Sequence, residues 1–425
     1  MPKNEIVIKG GTVIDASGTR QADVVISGGS IAAIGENLDA KTVIDAGGCI
    51  VAPGLVDLHT HLREPGREEA ETIETGTRAA ALGGYTAVVA MPNTEPTIDS
   101  VEVVRDILAT AVGKSCCVYP SGAITIGRKG EHLSPMAEMA RAGVRLFTDD
   151  GSGVQDGGLM RRALEYAKGL GVTLAQHCED NALAASGAMH EGAWSSRLGI
   201  PGQPSSAETA MVLRDIELVR LTGAPMHFLH LSTAESLRAV ALAKADGLPI
   251  TAEVAPHHFT LTDACCCDYD ATFKVNPPLR TEADVDAVKA ALRNGTVDAI
   301  ATDHAPHAPE LKEMPFDQAP PGMLGLETAL ALALDELDLP IEEVLAYLSW
   351  RPARIAGVDG DHGSLAEGRV ANICVIDPEV EWVVEGRALA SKSRNTPYEG
   401  RKLKGKVRHT ICRGIPSVLD GVAQQ

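Results

Sequence analysis

Between residues 53 and about 357 the chain alternates short apolar runs with stretches of helical spacing, and few folds accept that texture. The apolar runs cover 55–58, 86–90, 117–119, 144–147, 172–175, 227–229, 250–254 and 299–301. Helical patterns lie between them, over 69–81, 101–111, 159–170, 207–221, 234–246 and 283–293, and two more follow over 327–337 and 342–350. Helix starts are marked by residues such as Ser232-Thr233, and Gly83-Gly84, Gly143, Gly171 and Gly247 stop helices just before strands. Eight runs interleaved with helices predict an α/β protein, a (β/α)8 TIM-type barrel. A doubly wound parallel sheet is the structural alternative.

The residues that follow the runs favour the barrel. They are His59, Met91-Pro92-Asn93, Asp149-Asp150, His177, His230, His257-His258 and Asp303-His304. The third run is weaker and ends in Pro120-Ser121-Gly122. Barrel enzymes gather their chemistry at the C-terminal strand ends, around one mouth. If the first strand holds through them, His59, His61 and Arg63 share a face, because alternate strand residues point the same way. Taken singly, each polar residue has an ordinary explanation: a buried hydrogen-bonded histidine, or a turn aspartate before Gly151. Taken together, His59, His61, Asp150, His177, His230 and Asp303 form a nitrogen and oxygen ligand set at one barrel mouth. Such a set suits a borderline divalent cation, Zn²⁺ above all. A carboxylate has two oxygens, so Asp150 could bridge two such ions. Cations lower the pKa of nearby water, and Asp303 could then carry its proton to a leaving nitrogen. The chemistry implied is metal-assisted hydrolysis of an amide, or its reversal.

Both chain ends read differently. Residues 1–52 are short alternating runs cut by Gly10-Gly11 and Gly28-Gly29, the pattern of antiparallel hairpins, with no helix. Residues 358–425 return to that texture at 373–376, 381–384 and 407–411. The expectation is one small β-rich side domain built from residues 1–52 and 358–425, flanking a barrel over 53–357.

Thirty-eight basic against 57 acidic residues leave a net charge of −19, which argues against nucleic acid or an anionic membrane as main partner. No apolar run of about 18 residues suggests a membrane span. Met1 to Gly10 holds no apolar export core. The nine cysteines include no C-x-x-C pair, so free thiols in a reducing cytoplasm are expected.

Several stretches together resemble the amidohydrolase superfamily, and within it the type I bacterial dihydroorotases. They are Gly54-Leu-Val-Asp-Leu-His-Thr-His-Leu-Arg63, Met91-Pro-Asn-Thr94, Phe147-Thr-Asp-Asp-Gly-Ser152, Gln176-His-Cys-Glu-Asp180 and Ile300-Ala-Thr-Asp-His-Ala-Pro-His307. His227-Phe-Leu-His-Leu-Ser-Thr233 and Val275-Asn-Pro-Pro-Leu-Arg280 add to them. The resemblance implies metal ligands at His59, His61, Asp150, His177, His230 and Asp303, with two Zn²⁺ per subunit bridged by Asp150. It implies substrate contacts from His61, Arg63, Asn93, Asn276 and His307, a ring-binding loop at Pro321-Gly322, and Asp303 as proton shuttle. The implied reaction interconverts N-carbamoyl-L-aspartate and L-dihydroorotate in pyrimidine synthesis. The resemblance also implies a homodimer and association with aspartate transcarbamoylase. Many relatives bridge their metals with a carboxylated lysine, whereas Phe147-Thr-Asp-Asp-Gly151 has none. That departure, with Arg63 available for a substrate carboxylate, weakens the rival readings of hydantoinase, dihydropyrimidinase or allantoinase. A third reading, an inactive scaffold for the transcarbamoylase, predicts lost ligands, and all six are present.

Overall fold

The computed structural model describes residues 5–424. Residue 425 and residues 1–4, part of the stretch read above for an export signal, lie outside them. Eight parallel strands form the centre: β1 (Leu55–Thr60), β2 (Tyr85–Ala90), β3 (Cys117–Pro120), β4 (Leu146–Thr148), β5 (Thr173–Gln176), β6 (Met226–Phe228), β7 (Ile250–Val254) and β8 (Ala299–Ile300). One arc pairs β1, β2 and β3, and a second runs from β4 to β8 in order. Parallel bridges Gly122↔Phe147 and Thr60↔His304 join the arcs at both seams and close the barrel.

Alternation along β1 shows how the sequence builds the site. Val56 and Leu58 pack outward with Ala353 and Ala356 at the helix Trp350–Ile355, so Asp57 and His59 face the interior. Both are fully buried. Asp57 accepts from Thr302 N and Thr302 Oγ1, each at 2.7 Å, and from Thr60 Oγ1. This carboxylate ties the end of β1 to the turn after the two-residue strand β8, where Asp303 stands.

The chain ends form two sheets. The seven-stranded sheet has the order Val422–Ala423, Ile415–Leu419, Lys402–Cys412, Ile373–Val383, Ile50–Pro53, Thr12–Asp15 and Gly18–Gln21. The four-stranded sheet has the order Ser30–Gly35, Asp23–Ser27, Ile6–Lys9 and Thr42–Asp45. Ile8, Val24 and Ile26 pack with Val13, Val51, Ile373 and Ile411, so residues from both chain ends share one core.

Three local expectations need correction. Gly10-Gly11 is not a hairpin turn: Ile6–Lys9 and Thr12–Asp15 belong to different sheets. Gly10 has φ +78, and a Cβ on Gly11 would stand 2.5 Å from Val51 Cγ2, so these glycines carry the chain across in close packing. The first barrel helix begins at Ile73, not 69, because Thr72 caps it by accepting from Thr75 N at 3.1 Å. The runs 373–376 and 381–384 are one strand interrupted by a register shift between Asp377 and Glu381.

Candidate metal centre

Strand β1 holds only to Thr60, so the expectation that it carries His59, His61 and Arg63 on one face fails. His61 lies past the strand end, held by its N–H donating to His304 O at 2.9 Å. Arg63 has φ +61, outside strand geometry. His59 and His61 nevertheless converge, with ring centroids 5.3 Å apart.

The other four expected ligands follow β4, β5, β6 and β8. Asp149, beside Asp150, accepts from Ile124 N at 2.8 Å and Thr125 N at 3.0 Å, which anchors that turn. Asp150 stands at the centre of the group. Its Oδ1 lies 3.4 Å from His59 Nε2, 3.5 Å from His177 Nδ1 and 3.6 Å from His230 Nε2. Its Oδ2 lies 3.6 Å from His61 Nε2. Asp303 Oδ1 is 3.5 Å from His59 Nε2 and 3.3 Å from His61 Nε2. Two triads result, His59–His61–Asp150 and Asp150–His177–His230, which share the aspartate.

These residues fit a metal. Most of the distances are long for hydrogen bonds. Ligand atoms at about 2.1 Å from a tetrahedral ion are roughly 3.4 Å apart, close to the spacing around Asp150 and Asp303, while His177 Nδ1 and His230 Nε2 stand nearer, at 3.0 Å. His59 Nε2 is buried without a hydrogen-bond partner among the described residues, an expensive state unless something accepts its lone pair. The neighbours set its tautomer. His59 Nδ1 lies 3.0 Å from Glu253 Oε1, so the proton sits there and Nε2 is the free donor atom. His61 behaves likewise, its Nδ1 donating to Asn93 Oδ1 at 2.9 Å.

Glu253 was not foreseen from the sequence. It is fully buried on β7, and its second oxygen is 3.0 Å from His227 Nε2, whose Nδ1 lies 2.8 Å from Thr251 Oγ1. Burial pushes the Glu253 carboxyl up, but hydrogen bonds from His227 and His59 bring it down to about 2. Its only sequence signal is a charged residue inside an apolar strand run. Burial also pushes Asp303 up, and His59, His61 and His230 more than offset it, holding the carboxyl below its ordinary value.

A cavity of about 220 Å³ opens above this group. His61, Arg63, Asn93, Asp150, His177, His230, Asn276, Asp303, His307, Pro321 and Gly322 line it, and His59 is fully buried beside Asp150 and Asp303. All the expected site residues are thus brought together. Arg67, Gly151, Val275 and Ala305 also line it and were not foreseen, and Pro320 lines it as part of the expected loop. Arg63 Nε donates to Pro306 O at 3.0 Å. Burial and the nearby Arg67 pull the Arg63 guanidinium down to about 10, so it stays charged at neutral pH. Burial and Arg63 pull His307 down to about 2, which leaves a neutral ring. His307 Nε2 donates to Pro321 O at 2.8 Å, so the Arg63 nitrogen 3.4 Å away cannot also donate to it and remains available. Asn276 spends its Nδ2 on Glu179 Oε2 at 2.7 Å, leaving Oδ1 for a ligand.

The loop at Pro320–Gly322 presents carbonyls rather than N–H groups. Gly322 N donates to Lys274 O at 2.8 Å, and the two prolines have no N–H. Lys312 Nζ donates to Pro320 O and Gly322 O at 3.0 Å each, and to Lys274 O at 3.3 Å. Asn395 Nδ2 adds a bond to Gly322 O at 3.1 Å. Gly322 has φ +145, and a Cβ there would meet Ala305 O and His307 Nε2 at 2.8 Å each, so only glycine lets the loop approach so closely.

Comparison with known proteins decides the family. A dihydroorotase of Pelotomaculum thermopropionicum is 50% identical, over 98% of this chain and 99% of that one. The chain belongs to the dihydroorotase family. A dihydroorotase of Geobacter sp. strain M21 is 48% identical over 96% of this chain and 98% of its own. The family model described as Dihydro-orotase-like matches residues 48–236. Among solved structures, the L-hydantoinase (dihydropyrimidinase) of Arthrobacter aurescens superposes with a TM-score of 0.90 at 23% identity, over 100% of this chain and 98% of that one. The D-hydantoinase (dihydropyrimidinase) of Thermus sp. gives 0.86 at 27% identity, over 99% and 96%. The barrel with its β-rich side domain is thus the amidohydrolase fold. The chain is a metal-dependent cyclic amide hydrolase acting on a small molecule. Among the described residues, no helix is long and apolar enough to cross a membrane.

Proposed function

We propose that this dihydroorotase runs the reversible closure of N-carbamoyl-L-aspartate to L-dihydroorotate with Arg63, Asn93, Asn276 and His307 as substrate contacts and Asp303 as proton shuttle. One observation carries this assignment. The same cavity is lined by the buried Arg63 guanidinium and by five of the six expected ligands, with His59 buried behind Asp150 and Asp303, so a substrate carboxylate and its amide can be held at once. We further propose Zn²⁺ as the metal, two ions per subunit, held by His59, His61, Asp150, His177, His230 and Asp303. The two triads that share Asp150 support that count.

When bound, the metal polarises the substrate carbonyl and makes water acidic enough to attack near neutral pH. The rest is the work of the chain. Arg63 presents a planar pair of donors to the carboxylate. Asn93 Oδ1 holds His61 in the tautomer that exposes Nε2. Asp303 takes the proton from the attacking water and returns it to the leaving ring nitrogen. In the reverse direction a protonated Asp303 gives its proton to the departing hydroxide and takes one from the nitrogen as the ring closes, so hydrolysis should rise with pH and closure should fall. Such a profile reports the coupled site, not one residue.

Hydantoinase and dihydropyrimidinase activity is the second reading, favoured by the fold neighbours. Metal-loaded protein offered dihydroorotate, hydantoin, dihydrouracil and allantoin side by side separates the two. Turnover of the neutral rings in preference to dihydroorotate would sink the first reading. The proposal also covers residues 52 and 357 as domain limits, and a cytoplasmic site, which the unpaired thiols of all nine cysteines support. A homodimer and association with aspartate transcarbamoylase rest on the resemblance alone. Sedimentation of the protein, alone and with the transcarbamoylase, tests both.

A further inference from the structure

Away from the metal group, the barrel and the seven-stranded sheet meet at a pair of sulfurs. Cys117 opens β3, and Cys412 ends the strand Lys402–Cys412. Their Sγ atoms are 3.7 Å apart and unbonded. Arg413, the next residue, has φ +51 and donates from Nε to Cys117 Sγ at 3.1 Å. Its own N–H is fixed on Asn372 Oδ1 at 2.8 Å. His362 stands close by, its Nε2 3.0 Å from Tyr119 Oη and its Nδ1 3.2 Å from Thr86 Oγ1. The pair is reachable: Cys117, Cys412 and Arg413 line a cavity of about 360 Å³ with Tyr119 and Ile415.

We propose that Cys117 and Cys412 form a peroxide-reactive dithiol site, with Cys117 as the attacking thiolate and Cys412 as the resolving thiol. The nucleophile in such chemistry is the thiolate, favoured where a cation and a hydrogen-bond donor face the sulfur. Here Arg413 supplies both the cation and, through Nε–H, a donor to Cys117 Sγ, while the Cys412 S–H has Cys117 Sγ and Thr86 O each 3.7 Å away as acceptors. Hydrogen bonding from Cys412, opposed by burial and aided by His362 and Arg413, holds the Cys117 thiol well below its ordinary value. The same pairing, with burial, pushes Cys412 up, so it keeps its proton. The adjacent Cys116 is buried and pushed up by that burial, which removes it as a competitor.

The balance is complete with hydrogen peroxide as oxidant. Cys117 S⁻ attacks one peroxide oxygen: an S–O bond forms, the O–O bond breaks, and hydroxide leaves. Cys412 then attacks the Cys117 sulfur: an S–S bond forms, the S–O bond breaks, and the thiol proton leaves with the hydroxyl as water. Counting both cysteines as thiols, one peroxide and two thiols give one disulfide and two waters. The sulfurs need to close by roughly 1.7 Å to reach the disulfide length of about 2.05 Å. The product would tie the barrel to the side sheet.

This inference is independent of the substrate assignment and is tested on metal-loaded protein without an activity assay. Cys265 and Cys267 are likewise half-buried and serve as internal references. With limiting iodoacetamide at pH 7, peptide mass spectrometry should find Cys117 alkylated about 10-fold or more faster than either. Arg413→Met should remove most of that advantage. Peroxide treatment followed by blocking without reduction should yield a Cys117–Cys412 linked peptide. In Cys412→Ser, dimedone should trap a sulfenic acid on Cys117. Equal alkylation of Cys117 and the references overturns the thiolate assignment. Peroxide oxidation that yields no Cys117–Cys412 link, or no dimedone adduct in Cys412→Ser, overturns the dithiol site.

Discussion

Glu253 is the sharpest place to perturb the metal group, because it touches no expected substrate contact. Its two oxygens each meet one imidazole, His59 at 3.0 Å and His227 at 3.0 Å, and all three residues are fully buried. In Glu253→Gln the amide oxygen can still accept from His59 Nδ1, but the NH2 then faces His227 Nε2. His227 must move its proton to Nδ1 and donate to Thr251 Oγ1, which is 2.8 Å away and able to accept. The structure therefore tolerates the substitution, with a charge-assisted bond exchanged for a neutral one. Such an exchange costs roughly 1–1.5 kcal/mol, or about 5–15-fold in metal affinity. Glu253→Ala leaves both ring nitrogens without partners and should cost about 100-fold, the upper end for ligand-orienting residues. Glu253→Gln combined with Thr251→Val removes the acceptor that rescued His227, so the double variant should lose more than the sum of the singles. The assay is competition for Zn²⁺ against a chelator, on protein whose folding is checked by circular dichroism. Wild-type affinity in both Glu253→Gln and Glu253→Ala would refute the claim that Glu253 sets the His59 tautomer.

Other expectations follow from the same geometry. Arg63→Met should keep the metal and the fold and lower kcat/KM for dihydroorotate by about 10–150-fold, the range of a lost charge-assisted pair; unchanged kinetics would reject the carboxylate assignment. Asp303→Asn keeps the volume but not the proton acceptor, so turnover per metal-loaded site should collapse in both directions, and near-normal turnover would remove the shuttle. Lys312→Met strips three donors from carbonyls at Lys274, Pro320 and Gly322, so KM should rise about 10-fold or more with metal content unchanged, and Lys312→Arg should recover part of it; a fall in kcat alone would place Lys312 elsewhere in the reaction.

The parts of this molecule that repeat were legible in the sequence, and the parts that deviate were not. Alternating apolar runs and capped helices are local signals, so all eight barrel strands could be read from them. The candidate ligands were visible because strand ends are where barrels place polar side chains, and His177, His230 and Asp303 stand within two residues of the ends of apolar runs. Glu253 was hidden because a single carboxylate inside Ile250–Val254 has no meaning until His59 and His227 are seen across the barrel. Lys312 was hidden for the same reason: its three acceptors are carbonyls, which every residue type carries. The hairpin expected at Gly10-Gly11 failed because a glycine pair shows that the chain turns, and not which sheet receives the next strand.

The deviation at the mouth has a common physical form. Arg63, His230 and Asp303 all have positive φ, at 61°, 29° and 47°. None is glycine, the residue that adopts this region with least cost. Each such residue costs on the order of 1–3 kcal/mol, so the surrounding contacts must over-determine it. Those contacts are present: Asp57 grips Thr302 beside Asp303, and Pro306 O receives Arg63 Nε. Glu208 accepts from Ser232 N and Thr233 N, just after His230. A regular strand would send alternate residues to opposite faces and could not direct His59, His61 and Arg63 to one cavity while also turning away. Breaking the strand at Thr60 and paying in left-handed backbone frees the direction of each side chain. The rigid barrel below makes that affordable, since its buried carboxylates hold the turns that the strained residues need.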